Sequence, residues 1–213
     1  MVTVRITLDI AIYAVHGAFW AAFGITRSLS RSTEPDPAAA AEPTTSEPAT
    51  AQPAAAVPTT ARFSRLLVAI HAIGFFVMYM GIGSAVFGTG VPHWFTGQQV
   101  VGALVIAVGA RLMCWALLHF RSWRFQARIE SDHELATGGP FALVRHPIYA
   151  GLDLLALGSA IWIPTTIMWV AVVLMLLGAD IRARAEETVL TEAFGDQYRE
   201  YSSRVARFIP GIY

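Results

Sequence analysis

Two clusters of ionisable and aromatic side chains in the C-terminal third of the chain carry residue types that could do chemistry. The first is Arg145-His146-Pro147-Ile148-Tyr149-Ala150-Gly151, reached through a loop that contains Gln126, His133, Glu134, Leu135, Ala136 and Phe141. Proline is favoured at the first position of a helix, where its missing N–H would lack a partner anyway, so Pro147 predicts a helix start and could be purely structural. If that helix begins early enough, Tyr149 lies one turn from Arg145 on the same face. The N–H groups of such a helix end make a natural seat for a ligand carboxylate. His146 is open to two readings, a general base or a hydrogen-bonding contact at the helix start.

The second cluster is Asp180-Ile181-Arg182-Ala183-Arg184-Ala185-Glu186-Glu187. Arg182 and Glu186 stand four residues apart, which on a helix permits a simple surface salt bridge. The same pair has a functional alternative. Glu186 would accept hydrogen bonds from ligand hydroxyls or an amine, and Arg182 would grip an anionic group with its fork of donors.

The elements that position these clusters follow from composition. The chain is 55% hydrophobic and only 14% charged, with a mean hydropathy of +0.52, values that point to a membrane protein. Its net charge is zero, so nothing in the overall field argues for nucleic acid, and no feature calls for an obligate protein partner. All fifteen cationic side chains are arginine, which excludes Schiff-base lysine chemistry. The single cysteine, Cys114, excludes an intrachain disulfide and reads as a small buried residue.

Five transmembrane helices are expected. The run from Ile6 to Ile25, about 20 residues long, spans a bilayer and shows no distinct cleavage site, so residues 1–26 read as a first helix and not a signal peptide. Residues 27–65, rich in Pro, Ala, Thr and Glu, read as a disordered linker. Residues 66–213 form the core, with spans at about 66–87, 100–120, 148–163 and 165–181. The last two meet at Pro164 with so little chain between them that they must form a tight antiparallel hairpin.

Arginines flank the linker, follow span three and follow span five, whereas the loops on the other side have none. That asymmetry places the linker, the segment before span four and the C-terminal tail in the cytoplasm. Arg111, inside span three, is expected to face the bundle interior and pair with Asp153 or Asp180. His16, His71 and His119 read as helix-packing or interface residues, and His93 as a solvated loop residue.

The two clusters, followed by Phe194-Gly195-Asp196-Gln197-Tyr198-Arg199-Glu200-Tyr201 and Arg207-Phe208-Ile209-Pro210, resemble the isoprenylcysteine carboxyl methyltransferases and their bacterial relatives over roughly Gln126 to Pro210. The resemblance implies an all-α integral membrane enzyme of the bacterial cell membrane, with a cytoplasm-facing C-terminal cofactor pocket and a lateral opening toward membrane lipid. It implies S-adenosylmethionine as cofactor and a prenylated or lipophilic small-molecule substrate. Carried over residue by residue, the cofactor contacts look like Gln126, His133, Glu134, Leu135, Ala136, Phe141, His146, Pro147, Ile148, Tyr149 and Glu186. Arg182 matches the arginine that holds the substrate carboxylate, and Arg145 and Glu187 join it as catalytic residues. Phe141 replaces a usual tyrosine, and Glu134 and Ala136 replace apolar or larger residues.

A carboxylate nucleophile is already ionised at neutral pH and requires no metal. Alignment, for which about 7–11 kcal/mol is available, and desolvation would then drive the transfer. The alternative is a phospholipid or lipid-amine N-methyltransferase, which needs a base from Glu187, His146 or Tyr149. A membrane scaffold with no catalysis is the remaining reading.

Overall fold

The computed structural model describes residues 2–32, 60–88, 97–119 and 135–212. Among these residues all regular structure is helical: α1 (Val2–Ser32), α2 (Thr60–Phe87), α3 (Gly97–His119), α4 (Pro147–Trp162), α5 (Thr166–Phe194) and α6 (Asp196–Arg204), with a short 3-10 turn at Gly139–Ala142. Helices α1 and α2 reach into both ends of the stretch read as linker; residues 33–59 between them lie outside the described residues.

Among the described residues three helices are long and apolar enough to cross a membrane, over Ala69–Phe87, Gly97–His119 and Thr166–Phe194, and α4 is a shorter apolar helix. At 1.5 Å per residue, the 29 residues of α5 reach about 43 Å, more than a hydrocarbon core of about 30 Å. Its apolar part ends at Ile181, and the charged turns from Arg182 onward project beyond the membrane layer. The helix continues there because Ala183, Arg184, Ala185, Glu186 and Glu187 are all good helix formers. Ile163, Pro164 and Thr165 link α4 to α5, which pack against each other as an antiparallel hairpin.

Helix α4 sits against α3 at backbone distance. Gly102 and Gly109 on α3 face Gly158 and Gly151 on α4, and a methyl group built on Gly102 or Gly158 would stand 2.6 Å from the other's carbonyl oxygen. At Gly109 and Gly151 the corresponding distances are 2.6 and 2.7 Å. Close backbone approach of this kind is how helices associate where lipid supplies no hydrophobic drive. Helix α2 packs along α5, and α1 along α3.

A chain of hydrogen bonds docks α1. Ser159 donates to the Leu155 carbonyl (2.6 Å), which leaves its oxygen to accept from His16 Nε2 (2.9 Å). His16 Nδ1 then accepts from the Tyr79 hydroxyl (3.2 Å), itself the acceptor of the Trp20 indole N–H (2.6 Å). His16 is thus a packing residue with both ring nitrogens satisfied.

Arg111 does not face the interior. The buried stripe of α3 runs through Gly102, Ile106, Gly109, Met113 and Leu117, and Arg111 is exposed on the opposite side. It lies eight residues from His119 at the helix end, about 12 Å, so its long stem can lead the guanidinium toward the interface. Asp153 is buried without facing it, and Asp180 binds Arg184 and Arg207 instead.

Candidate active site

The charged end of α5 is capped by the chain that follows it. Gly195, with φ at +54°, ends α5 and begins α6, a backbone region that a residue bearing Cβ rarely adopts. The turn brings Tyr198 and Tyr201 into buried positions, and the Tyr201 hydroxyl donates to the Phe141 carbonyl at 2.7 Å. The tail then runs beside the start of α4, where the N–H groups of Arg145 and His146 donate to the carbonyls of Ala206 (2.9 Å) and Arg207 (3.2 Å).

Glu187 is the centre of this assembly. Its Oε1 accepts from Arg145 Nε (3.0 Å), Arg207 Nε (2.9 Å) and His146 Nε2 (3.2 Å), and its Oε2 accepts from Arg207 (2.7 Å). Arg207 also reaches Asp180 at 3.0 Å, and Arg145 donates to the carbonyls of Ser202 and Val205. Arg145 and Glu187, expected to act in catalysis, thus hold each other and fasten the tail to α4 and α5. The helix begins at Pro147, so Arg145 precedes it and turns toward the tail, not along the Tyr149 face.

Glu186, the adjacent residue, has a different environment. Its side chain is 38% exposed. It accepts a hydrogen bond from the Tyr149 hydroxyl, and lies 3.8 Å from Arg182 and 3.6 Å from His146 Nδ1. Arg182 sits over the Tyr149 ring, 5.0 Å from its centroid, a cation–π contact. The His146 and Tyr149 rings stack at 5.8 Å. Tyr149, Arg182 and Glu186 therefore form a partly open polar group directly beside the closed Glu187 network.

The remaining expected residues fall in three places. Leu135 and Ala136 are half-buried in the irregular segment before the 3-10 turn, and the Phe141 ring lies 6.3 Å from that of His119. Pro147 is fully buried, and Ile148 packs against the main core. Gln126, His133 and Glu134 lie outside the described residues. Arg207 was not singled out by residue-type reasoning; its one sequence signal was its place in the closing Arg-Phe-Ile-Pro motif.

Protonation of this network has a definite sign. Burial favours neutral His146, but the hydrogen bonds to Glu186 and Glu187 outweigh it and raise its pKa. For Glu187 burial also opposes the charge, and His146, Arg207 and Arg145 together hold the carboxyl well below the usual range. A raised histidine contributes stability below about pH 6.5 and loses it as pH climbs through the folded-state value; a depressed carboxyl contributes above about pH 4.3 and loses it on acidification. Melting temperature in detergent is therefore expected to be highest between about pH 5 and 6.5. His146→Gln should flatten the alkaline decline. A parent protein that gains stability steadily from neutral to alkaline pH would contradict this.

Comparison with known proteins gives concordant matches. Residues 97–197 match the family model for phospholipid methyltransferase. The chain is 31% identical over 157 residues to protein-S-isoprenylcysteine O-methyltransferase B of Arabidopsis thaliana, covering 70% of this chain and 78% of that protein. It is 32% identical over 124 residues to a probable protein-S-isoprenylcysteine O-methyltransferase of Oryza sativa subsp. indica, covering 56% of this chain and 64% of that one. The fold resembles the solved eukaryotic intramembrane Ras methyltransferase, isoprenylcysteine carboxyl methyltransferase, with a TM-score of 0.52 and 24% identity over 74% of this chain and 55% of that chain.

Proposed function

Because the chain belongs to the isoprenylcysteine carboxyl methyltransferase family, we propose that it methylates the carboxylate of an isoprenylcysteine-like or other lipophilic acceptor, using S-adenosylmethionine. The observation that carries this reading is the unequal environment of two adjacent glutamates. Glu187 is enclosed by Arg145, Arg207 and His146, whereas Glu186 remains partly exposed beside Tyr149 and Arg182.

The residues present fit such a cofactor. Glu186 is an acceptor with room for ribose hydroxyls or an ammonium group, and the stacked rings of His146 and Tyr149 line the same place. Leu135, Ala136 and Phe141 would border it, with Gln126, His133 and Glu134 contributed from the preceding loop, while Pro147 and Ile148 set the helix start. When bound, the cofactor would supply a methyl group activated on a sulfonium for transfer to the acceptor oxygen, with the neutral thioether as leaving group. Arg182 holds the acceptor carboxylate, which needs no base because it is ionised at neutral pH. Arg145 and Glu187 act by positioning, since they fix the ends of α4 and α5 whose side chains meet the ligands. Alignment and exclusion of water account for the acceleration.

In this reading α1 and α4 complete a five-span bundle in a bacterial cell membrane, and the site faces the cytoplasm. Labelled-methyl transfer to a panel of lipophilic acids and amines tests the assignment: a base-labile product is an ester, and a base-stable one is an N-methyl product. The amine reading has one observation in its favour, the phospholipid methyltransferase family match. It requires a base, and two of its candidates, His146 and Glu187, are tied into the ion network.

Arg182→Ala is expected to raise the acceptor KM about 10- to 100-fold, in line with about 1.5–3 kcal/mol for a hydrogen bond to a charged group. The KM for S-adenosylmethionine should stay within about twofold. Equal losses for both substrates in steady-state kinetics would remove the acceptor role.

A further inference from the structure

His71 belongs to neither sequence cluster, yet it is packed beside the open polar group. It lies near the start of the apolar part of α2, is 4% exposed, and its ring is 5.9 Å from that of Tyr149. Its backbone and Nδ1 press against Gly178 on α5, one turn before Arg182; a methyl group on that glycine would stand 3.3 Å from Nδ1. By strict geometry neither ring nitrogen has a hydrogen-bond partner among the described residues, and the one polar group that Nδ1 approaches is the Gly178 backbone. His16 and His146, equally buried, both have partners. Leaving a buried polar group unpaired costs about 1–3 kcal/mol. A phenyl ring of similar shape would avoid that cost, so packing alone does not account for an imidazole at this position.

We propose that His71 is a specificity-determining residue of the acceptor site, donating an N–H hydrogen bond to the lipophilic carboxylate gripped by Arg182. This rests on the carboxylate reading above. The Tyr149 ring is the common neighbour: the Arg182 Cζ is 5.0 Å from its centroid and the His71 ring 5.9 Å from it. Arg182 and His71 thus both border the Tyr149 ring, and a carboxylate held between them would meet both. The two oxygens then have separate partners, one on α5 and one on α2, and the neutral imidazole adds a donor without adding a charge at the edge of the membrane. A matched alcohol would use that arrangement poorly, which makes the pair selective for acids.

The test uses the full chain in lipid nanodiscs, with S-farnesylthiopropionate as probe and its primary alcohol as the matched control. His71→Phe is expected to melt at or above the parent temperature, to bind the acid at least about tenfold more weakly, to bind the alcohol as the parent does, and to bind S-adenosylmethionine unchanged. His71→Gln, which keeps an N–H donor, should recover most of the acid affinity. Undiminished acid binding by His71→Phe overturns the proposal, as does a marked loss of stability, which would make His71 a packing residue. If the parent binds the acid without methylating it, carboxyl methylation falls while the binding comparison still decides the role of His71. If parent and His71→Phe bind and methylate the acid equally, the role of His71 alone falls. A parent that does not bind the probe overturns both.

Discussion

Glu187→Ala is expected to abolish methyl transfer and to lower stability by about 3–5 kcal/mol, the range for removing one partner from a buried ion pair. The side chains involved are mostly covered: Glu187 is 15% exposed, and Arg145 and Arg207 are each 12% exposed. Removing the carboxylate leaves two guanidinium groups and His146 close together with one anion fewer. Their repulsion acts directly on the tail, because Arg207 is part of it and the backbone hydrogen bonds from Arg145 and His146 end on Ala206 and Arg207. The Glu187→Ala tail should therefore exchange amide hydrogens faster from Val205 to Phe208 and be cleaved more readily by protease. Glu186→Ala should behave differently, weakening cofactor affinity with little loss of melting temperature, because that carboxylate is partly exposed and bears fewer contacts. If the two alanine variants melt together near the parent value, Glu187 does not hold the tail.

Gly158→Val is expected to be the most damaging change within the membrane, at or above the upper end of about 1–3 kcal/mol for overpacking. Its Cβ would lie 2.6 Å from both the Gly102 carbonyl oxygen and the Ile106 Cγ1. The carbonyl belongs to the backbone and cannot rotate away, so α3 and α4 must separate. An added gap of 0.5–1 Å forfeits about a quarter to a half of each dispersion contact along the seam. Because α4 begins at Pro147, directly after His146, and carries Tyr149 in its first turn, the displacement is carried into the site. Gly17→Ala and Gly83→Ala serve as controls, since a methyl group at either position meets nothing within 4 Å. Melting temperatures in one detergent decide the matter: a Gly158→Val protein as stable as these controls would show that the α3–α4 seam has slack.

Local signals were enough for most of the helices. Pro147 and Pro164 punctuate continuous apolar runs, and the expected spans at 148–163 and 165–181 differ by only a residue at three of their four ends from Pro147–Trp162 and Thr166–Phe194. The fourth end was misplaced because the charges after Ile181 mark where apolar residues stop, whereas helix continuation depends on backbone propensity, which those same residues favour. Arg111 was misassigned for a related reason. A charged residue within an apolar run is expected to need an internal partner, but a position on the outer face near a helix end has the interface as an alternative.

The motifs, by themselves, determined the family and marked a candidate site in the C-terminal third, because those signals are residue types at fixed spacing. What no spacing conveys is which of two neighbouring glutamates is enclosed. Glu186 and Glu187 are about 100° apart around α5, so one side chain meets the returning tail and the other faces the open side. That difference arises only once Gly195 reverses the chain and brings Arg207 back across 20 residues. The placement of His71 beside Tyr149 is likewise a product of α2 packing on α5. Burial and hydrogen-bond satisfaction are set by elements distant in sequence, and they separate the enclosed groups from those left partly exposed.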